Sequence, residues 1–375
     1  MTVRILHTAD WQLGKAFGQI PGDAGVLLRR QRLQTVARIA ALARERAVDA
    51  VLVAGDVFET DAVSDDTLGR MVEAMRDYHG PWVLLPGNHD PALAEGVEQR
   101  LQRRRLPDNI LPALEARPLL LADGRLAILP APLTRRHEVR DLTEAFDHME
   151  TPPGAVRVGL AHGSVQNRLP EAAEAYNPIS DRRAELARLD YLALGDWHGT
   201  LEVAPRTWYA GTPEPDRFKA NDAGNCLIVT LPGPGAEPQV ERVPVGHYRW
   251  LQLDFSLHQE QDLAALEAAL ATLGEPLAQK VVALDLRGTL SLGLRQRLDE
   301  LLDHWGPRLH VLKVNADALH PEATAADLEQ IDSSGFLHQA IARLQQIQAD
   351  PHHPDRPFAA AALQRLYRTY LATRD

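Results

Sequence analysis

The chain has little cysteine, a shortage of positive charge and no long apolar run, and each of these narrows what it does. The single cysteine, Cys226, cannot form an internal disulfide or a thiolate metal cluster. Its place in the apolar run from Cys226 to Leu231 predicts a packing role. Lysine and arginine number 40 against 51 aspartates and glutamates, a formal net charge of −11. That sign is wrong for a protein that coats nucleic acid, because backbone phosphates are neutralised by protein cations. It leaves room for a nuclease whose carboxylates are offset by divalent cations and whose basic groups lie in local patches. No stretch approaches the roughly 18 apolar residues of a membrane span. Met1-Thr2-Val3-Arg4 leads into a strand and not into the apolar core of a secretory signal, so no membrane partner and a cytoplasmic location are expected. Internal repeats and low-complexity tracts are absent too.

With 375 residues, 45% apolar and 24% charged, there is material for two domains and a helical tail, since single cores stop growing near about 250 to 300 residues. The first part alternates short apolar runs with helical spacing. Val3 to His7, Ala50 to Ala54, Trp82 to Leu85, Leu126 to Leu129, Val156 to Ala161 and Tyr191 to Leu194 have the length and punctuation of buried strands. Leu27 to Val48 and Asp65 to Tyr78 carry apolar residues at three-and-four spacing, which predicts helices packed on a sheet. Trp208 to Leu231 and Val240 to Val245 read as closing strands around a Pro/Gly turn at 232–235. From Trp250 a new strand-helix-strand-helix-strand order begins: Leu251 to Phe255, Asp262 to Leu273, Val281 to Leu286, Ser291 to Trp305 and Leu309 to Val314. Ala325 to Gln348 and Phe358 to Thr373 read as two helices, separated by the prolines at 351 and 354. The expected division is therefore an α/β domain over 1–246, a small α/β domain over 247–322 and a helical segment over 323–375.

Five short motifs fall where strands of the first domain should end: Asp10-Trp11-Gln12, Gly55-Asp56, Gly87-Asn88-His89-Asp90, His162-Gly163 and Asp196-Trp197-His198. In α/β sheets, sites gather beyond the carboxyl ends of strands. This set of carboxylate, amide and imidazole groups suits a two-metal centre for phosphoester hydrolysis, in which paired cations screen the phosphate and activate water. Asp56 is the natural bridging carboxylate. Asp10, Gln12 and His198 are expected to complete one metal position, and Asn88, His162 and Asp196 the other. The mixed oxygen and nitrogen donors favour two Mn2+ ions, with Mg2+ or another divalent cation as the alternative. His89 is the expected proton donor to the leaving oxygen, with Asp90 holding its ring. His7 reads as a strand residue beneath the site.

These motifs resemble the calcineurin-like metallophosphoesterase superfamily. The segments HTADWQLG, LVAGDVFET, LPGNHDP and YAGTPEP are most similar to its DNA-repair nuclease (SbcD-like) branch, and within it to the manganese-dependent members encoded in bacterial repair clusters beside an Lhr-type helicase and a ligase. The resemblance is strong over residues 1 to about 220, and the small α/β domain resembles that branch's capping domain. It implies a four-layer αββα sandwich, two Mn ions and hydrolysis of DNA phosphodiesters. An aromatic rim at the site would favour single strands, so a single-strand DNA endonuclease is the expectation, with a repair helicase or ATPase as a candidate partner; the sequence itself does not distinguish endonuclease from exonuclease action. Two positions depart from the superfamily pattern. Gln12 stands where Asp-x-His is usual, and Asp196 stands in place of the first histidine of Gly-His-x-His.

Five further residues are candidates for substrate contact. Trp11 and Trp197, each between two proposed ligands, either stack on unpaired bases or pack inward. Arg104, in the basic run Arg100, Arg103, Arg104 and Arg105, either meets phosphates or belongs to a solvated helix face. Tyr209 and Arg217, with Gly211 and Thr212, sit in the segment that resembles the family's last signature. Two other functions stay open on sequence grounds: a small-nucleotide phosphodiesterase or phosphatase, because a metal centre does not set substrate size, and a metal-poor scaffold that binds an ATPase or helicase. Oligomeric state is not legible.

Overall fold

The computed structural model describes residues 2–20, 22–93, 96–104, 106–168, 176–321, 336–350 and 352–372. Two compact units divide the chain, Met1–Arg249 and Trp250–Asp375. In chain order the first unit runs β1 (Val3–Thr8), α1 (Asp23–Glu45), β2 (Ala50–Val53), α2 (Asp65–Met75), β3 (Trp82–Leu84), α3 (Val97–Arg103), β4 (Ile110–Pro112), β5 (Leu119–Leu121), β6 (Leu126–Ala131) and β7 (Val156–His162). It continues through β8 (Ser164–Val165), β9 (Pro178–Ile179), the single-turn α4 (Arg183–Leu186), β10 (Tyr191–Gly195), β11 (Leu201–Ala204), β12 (Thr207–Tyr209), β13 (Asn225–Leu231) and β14 (Gln239–Pro244).

All of these strands except β8 and β9 belong to a pair of six-stranded sheets, ordered β14-β13-β1-β2-β3-β4 and β11-β12-β10-β7-β6-β5. Within the first sheet β1, β2, β3 and β4 are parallel, and within the second β6, β7, β10 and β12 are parallel. Alternate side chains of each strand point to opposite faces, and here both faces are covered. Ile5, Leu52, Val83 and Val229 meet Ile128, Val158, Leu160 and Tyr191 in the core between the sheets. Leu6, Val51, Val53 and Trp82 face the other way, onto α1 and α2 through Val36, Ile39, Leu68 and Met71. Leu129, Ala161, Leu192 and Leu194 pack against Phe146, Ala187 and Leu189 on the outer side of the second sheet. The unit is the expected four-layer αββα sandwich, and Cys226 is buried in the core under α1.

The second unit carries a three-stranded sheet of β15 (Arg249–Leu257), β16 (Lys280–Leu290) and β17 (Val311–Pro321). Two helices, α5 (Glu260–Ala271) and α6 (Leu292–Trp305), add Leu263, Leu266, Leu270 and Leu298 to its core. Two tail helices follow, α7 (Phe336–Ala349) and α8 (Arg356–Ala372), paired through Ile341 and Leu363. Residues 325–335, expected as the start of the first tail helix, and residue 373, the expected end of the second, lie outside the described residues. No helix among the described residues is long and apolar enough to cross a membrane.

Candidate metal centre

The parallel strands of both sheets release their chains at one end of the sandwich, and all five motifs lie there. Asp10 follows β1, Asp56 follows β2, Asn88 follows β3, His162 ends β7 and Asp196 follows β10. The loops after β1 and β2 are tied together by backbone hydrogen bonds: Asp10 N–H donates to Gly55 O (3.0 Å), Gln12 N–H to Asp56 O (2.9 Å) and Leu13 N–H to Val57 O (2.9 Å). Asp10 (φ 52°), Gln12 (φ 43°), Asp56 (φ 53°) and Asp196 (φ 101°) all have positive φ. L-residues adopt that region at a cost, and such outliers cluster where function over-determines the backbone. Gly55, also at positive φ, is required by proximity as well, because a Cβ there would collide with the His162 ring.

One ligand atom each from Asp10, Asp56 and His162 lies within 4.8 Å of the other two, and all three residues are buried. The His162 Nδ1–H donates to the Ala54 carbonyl at 2.9 Å, which fixes the ring and aims Nε2 inward. Around Nε2 stand Asn88 Oδ1 at 2.7 Å, Asp56 Oδ1 at 3.5 Å and Asp196 Oδ1 at 3.8 Å. Burial by itself would lower the His162 pKa, but the Asp56, Asp10 and Asp196 charges override it and raise it to about 9. The ring is therefore an imidazolium at neutral pH, and its Nε2–H donates to Asn88. That proton lies among oxygen acceptors, as a cation would.

The carboxylates carry the complementary strain. Burial raises Asp10 to about 6 against the lowering pull of the His198 and His162 charges, and its Oδ2 is buried without a hydrogen-bond partner among the described residues. Asp196 is raised too, first by burial; its Oδ2 accepts from Ser164 Oγ at 3.0 Å, and its N–H donates to Asp10 Oδ1 at 3.1 Å. An orphaned buried carboxylate oxygen, crowded by other carboxylates and facing a fixed imidazole, is a donor set that fits divalent cations.

The side of the site containing Gln12 and His198 is built differently. Gln12 Nε2 lies 3.3 Å from His198 Nε2, while its Oε1 accepts from Lys15 Nζ at 3.3 Å. Lys15 also pairs with Asp216 at 3.1 Å and with Glu59 at 3.3 Å. Asp216 is buried, 3.6 Å from Arg32 Nη2 and 3.6 Å from His198 Nδ1. Burial alone would raise the Asp216 carboxyl, but His198 and the buried Arg32 guanidinium hold it well below the usual range. Lys15, Arg32, Asp216 and Ser164 were not singled out in the sequence. Asp216 and Ser164 immediately adjoin residues that were, Arg217 and Gly163, and adjacency to a motif was the only available signal.

Several expectations are corrected. Asp90 does not hold His89. It is fully buried, and its two oxygens accept from Phe58 N–H (2.9 Å) and Gly87 N–H (2.7 Å), bracing the loops after β2 and β3. Burial, with Asp56 next, raises its pKa to about 7. The His89 ring is held instead by Nδ1–H donation to the Glu59 carbonyl at 2.9 Å, with Nε2 4.0 Å from Asp56 Oδ2. Trp11 is only 1% exposed, edge-on to Trp82, and its indole N–H donates to Thr8 Oγ1, so it packs and does not stack on bases. Tyr209 is wholly buried. Its hydroxyl donates to Gly163 O and accepts from Val165 N–H, fixing the turn after His162 and not touching substrate. Trp197 is half-buried against the outer core of the second sheet. Arg217 is exposed and clasps the buried Asp216 at 2.9 Å. Arg104 is exposed and 3.6 Å from Asp65, while Arg100 is tied to Asp61 O, Val63 O and Asp65. Arg105 lies outside the described residues. His7 is buried beneath the site, bonded to Tyr191 and Leu194 O, and burial lowers its pKa to about 3.

A fold of two stacked sheets with carboxylates, amide and imidazoles converging at its strand ends is that of a metallophosphoesterase. Residues 3–184 match the calcineurin-like phosphoesterase family model, and this chain carries that domain. Over 267 residues it is 26% identical to the SbcD component of the SbcCD nuclease of Bacillus subtilis, spanning 61% of this chain and 66% of that protein. Over 114 residues it is 32% identical to the corresponding SbcCD nuclease component of Rhodobacter capsulatus, spanning 29% of this chain and 24% of that one. The chain thus spans less than two thirds of the length of either relative. The solved structure of TT1561 of Thermus thermophilus aligns with 65% of this chain at 11% identity and a TM-score of 0.39, too distant to add to the fold described above.

Proposed function

We propose that this protein is a binuclear, divalent-metal phosphodiesterase that cuts DNA, acting in the cytoplasm as a single-strand endonuclease in repair. The observation that carries the reading is the buried convergence of Asp10, Asp56 and His162, with the orphaned Asp10 Oδ2 among them. Asp56 would be shared, Asp10, Gln12 and His198 would hold one cation, and Asn88, His162 and Asp196 the other. Mn2+ suits this mixed donor set, with Mg2+ as the alternative. When bound, such cations offset the diester's charge and make water a nucleophile at neutral pH.

The chain's own groups do the rest. Asp56 positions the loop after β3, since its Oδ1 accepts from His89 N–H at 2.9 Å. His89, half-buried at the mouth and oriented by Glu59, delivers a proton from Nε2 to the leaving oxygen. Ser164 fixes the Asp196 carboxylate, and Ala54 fixes His162. A nuclease activity is supported by the names of the two relatives, both nuclease components; DNA as the substrate and a repair helicase or ATPase as the partner rest on the resemblance of the motifs.

The test compares circular single-stranded DNA, cyclic nucleotides, nucleoside monophosphates and bis(p-nitrophenyl) phosphate, each with Mn2+, Mg2+ or Zn2+. The reading predicts Mn2+-dependent nicking of the circle. Turnover of small nucleotides without nicking would reassign the substrate, and no hydrolysis with any metal would end the enzyme reading.

A further inference from the structure

The loop after β6 leaves the sheet beside the metal centre, because Ala131 is in register with Ala161, one residue before His162. Residues Thr134 to His137, Val139 and Arg140 of this loop are exposed, and Val139 is 81% exposed. Only Glu138 turns inward, where its carboxylate accepts from Val139 and Arg140 N–H and pairs with Arg135. Among the described residues, the guanidiniums of Arg136 and Arg140 meet no carboxylate. Among the described residues of this loop, two guanidiniums thus remain without a carboxylate, in a protein whose net charge is −11.

An aromatic pair completes this surface. The His137 ring lies 4.3 Å, centroid to centroid, from the ring of Tyr176, which is 49% exposed. Tyr176 thus presents an aromatic surface to solvent with the His137 ring beside it. The surface is fastened to the metal centre through Asn177. Its N–H donates to Glu138 O (3.1 Å), its Oδ1 accepts from Glu138 N–H (2.7 Å), and its carbonyl accepts from Ser164 N–H (3.0 Å), two residues beyond His162. Arg140 and His162 border the same small cavity.

We propose that the Tyr176–His137 pair is a stacking platform for an unpaired DNA strand, with Arg136 and Arg140 meeting the flanking phosphates. Bases present a π-face to an aromatic ring only when they are unpaired, and cations spaced beside such a ring track a backbone without reading sequence. The platform selects the single-stranded part of the substrate and feeds it toward Asp56. This rests on the nuclease reading above and adds to it the element that recognises the strand.

The test uses the full chain in EDTA, so that no strand is cut, with a short oligothymidylate carrying one 2-aminopurine. Wild type should bind, with the fluorophore quenched. Tyr176→Ala and His137→Ala should each weaken binding about tenfold and relieve the quenching, Tyr176→Phe should retain both, and a duplex of equal length should be bound no more weakly by the variants than by wild type. Arg136→Ala and Arg140→Ala should each lower the slope of log affinity against log salt by about one. Tyr176→Ala and His137→Ala should hydrolyse bis(p-nitrophenyl) phosphate at the wild-type rate. An unchanged affinity and quenching in Tyr176→Ala, an equal loss on duplex, or no binding by wild type would overturn the platform. Loss of small-diester hydrolysis in metal-loaded wild type would instead strike the nuclease reading, which the binding measurement does not depend on.

Discussion

The two halves of the proposed centre, which would share Asp56, hold positive charge in different ways. Around His162 the charge is a proton on an imidazole raised to about 9, surrounded by Asn88, Asp56 and Asp196. Around Gln12 and His198 it belongs to Lys15 and Arg32, locked to Asp216 and Glu59. A proton can leave when a metal ion arrives, whereas an ammonium on the chain must be pushed aside or tolerated. The His162 half is thus ready for a cation once it deprotonates, and the Gln12 half must compete with Lys15 for the amide oxygen. The departure of Gln12 from the superfamily pattern has a structural counterpart in that network.

The largest expected effect removes what the halves share. Asp56→Ala should abolish high-affinity binding at both positions, seen as the loss of both Mn2+ equivalents by isothermal titration, and should lower turnover by at least about 10³-fold. His89→Ala should separate chemistry from binding: both equivalents persist while turnover falls about 10² to 10⁴-fold.

The protonation contrast gives a pH test. Asp10 and Asp90, raised to about 6 and about 7, favour the folded state when protonated, so their contribution is present below the ordinary carboxyl value and is lost as pH rises through 6 to 7. His162, raised to about 9 from 6.5, contributes below 6.5 and loses that contribution as pH rises through 9. Cations that take the place of the Asp10 and His162 protons should therefore stabilise more as pH rises. The Mn2+-induced increase in Tm should be larger at pH 8 than at pH 5.5, and titration at pH 7.5 in buffers of different ionisation enthalpy should show release of about one proton. The smallest effect should come from Lys15→Met, which removes a charge from the Gln12 half alone. It should tighten the weaker Mn2+ equivalent by about tenfold and leave the stronger one unchanged.

Much of the sandwich could be read in the sequence because its central strands are buried on both faces and punctuated by motif residues. Helix ends were less legible. Apolar spacing carries α1 to Val48, but the chain turns at Ala47, whose φ is 48°; Ala47 N–H donates to Arg44 O and Val48 N–H to Ala43 O. This is the αL ending that glycine usually announces, made here by alanine, with Val48 packed in the core as its apolar contact. The edge strands β4, β5 and β11 were not legible because, unlike the equally short but fully buried β2 and β3, they are only partly buried and carry no motif residue at their ends. In the site, the motif residues that converge were legible as types and spacings. Direction was not: whether Trp11 and Tyr209 face the cleft or the core, and whether Asp90 supports a ring or two loops, is decided by neighbours distant in sequence. Lys15, Arg32 and Asp216 gain their meaning only when α1 and the loop after β12 meet.

The most direct test of the shared-carboxylate centre is anomalous scattering from a crystal soaked in Mn2+. Two peaks flanking the Asp56 carboxylate, one near His162 and Asn88 and the other near Asp10 and His198, are predicted. Density absent from the cleft, or peaks that Asp56 does not touch, would contradict the account.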